Sequence, residues 1–292
     1  MKIIRVIVSF VCLLVSLGAD AQSSAAGNTL RFTAIPDQNT TELTEKFQPF
    51  ADYLGKQLSM KVEYVPARDY QATVEMFRNG DVLLAWFGGL TSVQARKAVP
   101  GARAIAQGEE DPKYFSYFIA HKDTGLTESA MFPQAIASLT FTFGSESSTS
   151  GRLMPEYFIR QNTGKGPMEF FQQPVGYSGS HDKTAELVEA GRFQVGVLNY
   201  KVYEKRVAAG TTDPDVVRII WKTPTFADYN WTVHPTADEL FGAGFIDKLQ
   251  KALVSIDNPD LLTALPRNHL IPATNEEYEE LRAVAEALGM VR

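Results

Sequence analysis

The chain has 292 residues and a formal net charge of −6, with 45% hydrophobic and 21% charged residues. That is enough apolar mass for one large or two medium cores without help from disulfides or metals. The acidic balance excludes a broad nucleic-acid surface, because phosphate backbones recruit basic faces. It leaves room for one small anion held by local dipoles and hydrogen bonds.

In chain order, the basic Lys2 and Arg5, an apolar run over 6–17 and then Ala19-Asp20-Ala21 read as a signal peptide over residues 1–21, cleaved before Gln22. The apolar run is short for a membrane-spanning helix, and no later stretch is long enough to be one. Cleavage would also remove Cys12, the one cysteine, which lies inside the apolar run and is misplaced for a lipid anchor. A mature chain without thiols suits an oxidising compartment. A free, monomeric periplasmic protein is expected.

Residues 30–35 read as a strand. Helical spacing of Leu43, Phe47, Phe50, Leu54 and Leu58 predicts a helix over 41–58, with Thr40 or Thr41 as N-cap. A strand at 61–65, a helix over 69–79, a fully apolar strand at 82–87, a helix over 90–98 and a strand at 102–106 follow. After a strand at 114–120 the alternation repeats. Strands fall at 139–143, 174–177, 194–198 and 216–221, with helices from about 150 to 161, 182–190 and 200–209 between them. A short strand at 230–233 precedes helices over 237–256, 259–264 and 275–288. This order predicts two α/β units of similar build, an organisation in which ligands favour the cleft between lobes.

Enzyme motifs are missing: there is no nucleophile elbow, phosphate loop or dinucleotide turn. The four histidines, His121, His181, His234 and His269, have no metal-ligand spacing, so neither a metal nor a cofactor is expected. Glu109-Glu110-Asp111 before Pro112 reads as a solvated turn.

The most informative segment is the loop after residue 143, where Ser147, Ser148, Thr149 and Ser150 stand in a row before Gly151 and a helix. Consecutive hydroxyls at a helix start, with free backbone N–H groups and the helix dipole, can hold a phosphate-like ion without Lys or Arg. Gly151 would let the backbone approach closely. The same residues also fit plain capping, in which one hydroxyl caps the helix and the rest are solvated.

This S-S-T-S-G loop followed by Pro155 resembles the signature of the phosphonate/phosphite-type (PhnD-like) periplasmic solute-binding proteins of ABC importers. Asp69-Tyr70, the segment 81–88, Tyr114-Phe-Ser, Ser180-His181-Asp182, and Asp228 before Trp231 match in the same order, so the resemblance spans nearly all of the mature chain. It implies a two-lobed, type II periplasmic-binding α/β fold with hinge crossings near 118–121 and 222–226. Lobe one would be 28–118 plus 225–292, and lobe two 119–224. It also implies an ABC permease and ATPase as partners, and no enzymatic activity. In the pocket it implies, Ser148, Thr149 and Ser150 grip the anion oxygens, Tyr70 and Tyr114 donate phenolic bonds, His181 adds a donor and Asp228 an acceptor. On residue type alone, Tyr70 is more often a packing residue, His181 fits a helix cap and Asp228 is normally a solvated connector residue.

One departure matters. Family members that take aminoalkylphosphonates carry a carboxylate after the strand at 194–198, where this chain has Asn199, Tyr200 and Lys201. A bare oxyanion is therefore expected: phosphite, phosphate, a small phosphonate, or an analogue such as selenate. The extended similarity also resembles a subgroup assigned to selenate transport, an assignment the pocket residues do not themselves show. If Asp228 lines the pocket, its carboxylate repels a fully ionised anion unless a proton sits between them. Rival readings are an enzyme acting on a phosphorylated substrate, and a periplasmic sensor that presents an anion to a membrane kinase.

Overall fold

The computed structural model describes residues 29–291. The expected signal peptide, 1–21, and the small polar leader after it lie outside the described residues.

Among the described residues, eleven strands form two sheets. The first has the order β11-β4-β10-β3-β1-β2, from β1 (Thr29–Ala34), β2 (Lys61–Tyr64), β3 (Leu84–Phe87), β4 (Arg103–Gly108), β10 (Asn230–Val233) and β11 (Leu270–Pro272). The second has the order β7-β6-β8-β5-β9, from β5 (Ser116–His121), β6 (Phe141–Phe143), β7 (Gly176–Tyr177), β8 (Val195–Asn199) and β9 (Val217–Lys222). In the first sheet β1 runs parallel to β2 and β3; in the second, β6 runs parallel to β7 and β8. The return strands β10 and β5 pair antiparallel with their neighbours.

Parallel strands need helical crossovers, and those helices bury an apolar stripe against the sheets. The helix Thr40–Leu58 buries the five residues expected from its spacing. Phe47 and Phe50 meet Phe32 and Trp231, and Phe50 stacks on Trp231 at 5.1 Å. Fully burying each such side chain stabilises by roughly 1.5–3 kcal/mol. In the second lobe Phe118, Phe132, Phe141, Phe171 and Trp221 form an equivalent aromatic core.

Several local expectations need correction. The cap of the first helix is Asn39, whose side chain accepts from the N–H groups of Thr41 and Glu42, so neither threonine caps it. The single helix expected over 237–256 is two, Ala237–Phe241 and Phe245–Val254. Gly242 and Gly244, at φ 102° and 81°, break the helix in backbone conformations that other residues rarely adopt. Strand β11 passed unread, because its three residues carry no alternation. Residues 116–118 lie within β5 and hence in the second sheet. The chain passes from the first sheet to the second between β4 and β5 and returns between β9 and β10. There Tyr114 and Phe226 exchange two backbone hydrogen bonds of 2.9 Å, tying the crossings together.

Candidate functional site: the cleft between the lobes

In sheets of this kind ligands collect beyond the carboxyl ends of the parallel strands. Here β1 and β3 end at the segments 35–39 and Gly88, while β6 and β8 end at the hydroxyl loop and Asn199. These ends face one another. Leu90 N–H donates to Thr149 Oγ1 at 2.9 Å, and His181 N–H donates to the Asp37 carbonyl at 3.1 Å. Asn39 N–H donates to Asp182 Oδ2 at 2.8 Å. Lys205 reaches Gln38 at 2.6 Å, and Lys201 pairs with Glu110 at 2.8 Å.

Seen from the second lobe, the hydroxyl loop is a built object. A wide turn, Thr149–Leu153, in which Leu153 N–H returns to the Ser148 carbonyl at 3.0 Å, precedes the helix Met154–Thr163. Turns of this width recur at functional sites. Ser148 Oγ accepts from Gly151 N–H at 2.9 Å, and Ser116 Oγ donates to the Ser150 carbonyl at 2.7 Å. Ser148, Thr149 and Ser150 are all buried. Capping and ligand-facing roles therefore coexist, since a hydroxyl that accepts from a backbone N–H keeps its own proton to donate. Gly151 is needed by the protein itself. A Cβ there would lie 2.9 Å from Ser148 Oγ and 3.2 Å from His181 Cε1.

Opposite, the first lobe presents Tyr70, Tyr114 and Asp228. Tyr70 starts the helix Tyr70–Arg78, capped by Asp69, and faces Ser148. Tyr114 sits on the crossing, against Tyr229 and Tyr200. Asp228 faces the Thr149 and Ser150 side chains, and its Oδ1 accepts from Gly89 N–H at 3.0 Å. Tyr70 Oη, Tyr114 Oη and Asp228 Oδ2 are buried with no hydrogen-bond partner among the described residues. Such groups cost about 1–3 kcal/mol each and call for an explanation. Gly88 makes room for this meeting of lobes: a Cβ there would stand 3.2 Å from Thr149 Oγ1 and 3.3 Å from Asp228 Oδ1.

His181 is fully buried at the start of the helix His181–Glu189, which Ser180 caps. Burial pushes its pKa down to about 3, so it is neutral. Its Nδ1 accepts from Asn199 N–H at 3.3 Å, which leaves the proton on Nε2, 3.4 Å from Tyr229 Oη. Burial likewise raises the Asp228 carboxyl to about 7, against the pull of Gly89 N–H, Thr149 and Ser150. Both phenols, Tyr70 and Tyr114, are pushed well above the ordinary tyrosine value by burial, so they stay protonated donors.

The seven residues singled out from the sequence all lie buried where the two lobes meet. Sequence reasoning missed Asp37, Tyr229, Gly88 and Gly89. Tyr229 donates to Asp37 Oδ2 and accepts from Asn199 Nδ2, both at 2.9 Å. Asn199, where a carboxylate would receive an amine, is occupied by this bond and by capping the helix Tyr200–Ala208. The acidic turn at 109–111 also departs from expectation. Glu110 pairs across the lobes, and Asp111 is fully buried in an ion pair with Arg267. A solvated face would show neither.

Fold and cleft together define a two-lobed solute-binding protein of the periplasmic type. The family model described as "ABC transporter, phosphonate, periplasmic substrate-binding protein" matches residues 32–278. The chain belongs to that family. It is 36% identical over 270 residues to the probable ABC transporter phosphite binding protein PhnD1 of Prochlorococcus marinus, covering 90% of this chain and 91% of that protein. It is 25% identical to the phosphate-import protein PhnD of Mycolicibacterium smegmatis, covering 89% and 86%. The crystal structure of the Prochlorococcus PhnD1 in complex with methylphosphonate superposes with a TM-score of 0.85 at 34% identity, over 91% of this chain and 100% of that one.

Proposed function

We propose that this chain captures a small tetrahedral oxyanion of the phosphite, phosphate or phosphonate class and delivers it to the permease and ATPase of an ABC importer. It acts as a monomer, exported by cleavage after Ala21, with lobes that move about the paired crossings and bind without turnover. The observation that carries the reading is the set of three buried, unpartnered polar atoms, Tyr70 Oη, Tyr114 Oη and Asp228 Oδ2, with Tyr70 facing Ser148, Asp228 facing Thr149 and Ser150, and Tyr114 beside Asp228. Two phenols and three hydroxyls supply donors to anion oxygens, and the Nε2–H of His181, 3.4 Å from Tyr229 Oη, is shared between that oxygen and the anion. Asp228 Oδ2 takes part in one further bond whose proton comes either from the anion or from the carboxyl itself.

That single shared proton favours an anion able to carry one, which phosphite, phosphate and methylphosphonate are and selenate is not. The names of the relatives, phosphite-binding and phosphate-importing, support the same class. Asn199 in place of a carboxylate supports a ligand without an amine. Closure follows from donors on both lobes, because only the closed form makes all the bonds at once. Calorimetric titration of the purified protein with phosphite, phosphate, methylphosphonate, sulfate and selenate tests the reading. Tight binding confined to the phosphorus anions, with the ligand recovered chemically unchanged by phosphorus NMR, is the expected outcome. Preference for sulfate or selenate would overturn it.

A further inference from the structure

No Lys or Arg side chain is needed to touch the proposed anion, yet a buried cation lies directly behind its binding wall. Arg267 is 5% exposed and Asp111 is fully buried. The guanidinium grips the carboxylate with two bonds, Nε to Oδ2 at 2.9 Å and Nη2 to Oδ1 at 2.7 Å, and donates a third to the Leu265 carbonyl at 2.6 Å. Its Cζ lies 5.0 Å from the ring centre of Tyr114, 4.9 Å from that of Tyr229 and 5.6 Å from that of Trp86. The Asp111 carbonyl in turn accepts from Asp228 N–H at 3.1 Å. The pair therefore abuts three aromatic rings beside the cleft and the backbone of Asp228.

We propose that Arg267 is a positioning and affinity-setting residue for the anion, acting through the Tyr114 and Tyr229 rings, and that Asp111 attenuates its charge. The proposal rests on the anion-site reading above. A fixed cation against the faces of phenol rings is attracted by their quadrupoles and fixes where the rings stand. Across a buried, low-dielectric wall its field also favours negative charge in the cleft far more than a solvated lysine would. Burial works against the guanidinium, but Asp111, Tyr114 and Tyr229 together outweigh it and hold its pKa well above the ordinary value, so the charge is permanent. Arg267 correspondingly pulls the Tyr114 phenol down against the rise that burial imposes. Asp111 opposes the anion, and it is among the groups that raise Asp228. A partly cancelled cation suits a carrier, which must hold its anion and also release it.

The sign of two substitutions separates this role from a structural one. Asp111→Asn keeps an oxygen for Arg267 and uncovers its charge. Arg267→Met removes the charge and leaves Asp111. Both should lower the melting temperature of the ligand-free protein, since each breaks a buried ion pair. Titration of phosphite should nevertheless show opposite effects, tighter in Asp111→Asn and weaker in Arg267→Met, each on the order of tenfold. Arg267→Lys, which keeps the charge but not the fork, should lose less than Arg267→Met. Weakening in both variants, or no change in either, would overturn the proposal. If Arg267→Met does not fold, Asp111→Asn decides alone: tighter binding supports the proposal, and equal or weaker binding refutes it. Wild type and Thr149→Val are titrated alongside. If they bind phosphite equally, the anion-site reading itself fails, a result distinct from the others, and this proposal falls with it.

Discussion

The two walls of the cleft reach the same ligand by opposite means. On the second lobe the polar atoms are already engaged: Ser148 accepts from Gly151, Thr149 from Leu90, and the Ser150 carbonyl from Ser116. On the first lobe Tyr70, Tyr114 and Asp228 each hold a buried atom without a partner. The Ser148 and Ser150 bonds lie within the second lobe and orient its wall in advance, while Thr149 is held from across the cleft. The first wall stores unfavourable free energy that a ligand can release. Affinity in such a cleft comes from both, rigid donors on one side and unsatisfied groups on the other.

The largest expected effect comes from removing a buried side chain that both joins the walls and faces the anion. Thr149→Val takes away a donor to the anion and leaves Leu90 N–H unpaired in the closed form. A hydrogen bond to a charged group at about 1.5–3 kcal/mol plus an unsatisfied N–H should weaken phosphite binding by about two to three orders of magnitude. Calorimetry reads the loss, and circular dichroism checks that the fold persists. Retained affinity would mean that the walls are not coupled through Thr149.

Asp228 sharpens the comparison through pH. Its folded pKa, about 7, lies above the ordinary 3.8 because burial penalises the charge. The stability this protonation gives the ligand-free protein is fully present below about pH 4 and is lost as pH rises through about 7. The loss is at most about 4 kcal/mol. Melting curves from pH 5 to 8 should slope downward in wild type, and Asp228→Asn should reduce that slope to the part left by Asp37, whose carboxyl burial raises to about 6. The same variant should narrow the preference for phosphite over selenate, because the amide supplies a donor where an ionised carboxylate repels. In wild type, selenate affinity should fall about tenfold per pH unit above about 7, where Asp228 no longer brings the shared proton. Identical selectivity and identical slopes in the two proteins would show that Asp228 does not read protonation.

How legible these walls were in the sequence follows from their chemistry. The hydroxyl loop is contiguous, so local rules on caps and helix starts find it directly. Tyr70, Tyr114 and Asp228 are far apart in the chain. Each alone resembles a packing or connector residue, and only the ordered motifs of a family single them out. Asp37, Tyr229 and the glycines 88 and 89 carry no local signal, because their roles arise from how β1, β3 and β10 are placed. Asp111 was misread for a related reason. Three acidic residues before a proline look solvated until the fold brings Arg267 from the far end of the chain. Alternation of strands and helices gave the two α/β units, while the break at Gly242–Gly244 shows where helical periodicity outran the backbone.

A smaller effect should appear at the phenols, with a sign that is hard to obtain by accident. Tyr70→Phe and Tyr114→Phe remove a buried hydroxyl that has no partner, so each should leave the ligand-free protein equally or more stable, by up to about 1 kcal/mol. Each should also weaken phosphite binding by about tenfold. Paired thermal melts and titrations check this. A variant that loses stability and keeps affinity would identify its tyrosine as core. The smallest effect belongs to the half-buried Lys201–Glu110 bridge. Lys201→Met should reduce affinity by less than about 1 kcal/mol, and only at low salt. Titrations at two ionic strengths separate this rim contact from the buried walls.

The most direct test is a crystal structure of the protein with phosphite bound. The account predicts one anion between the lobes, with its oxygens within hydrogen-bond distance of Tyr70 Oη, Tyr114 Oη, Asp228 Oδ2 and the hydroxyls of Ser148, Thr149 and Ser150. An anion seated elsewhere, or one that leaves those first-lobe atoms still unpartnered, would contradict it.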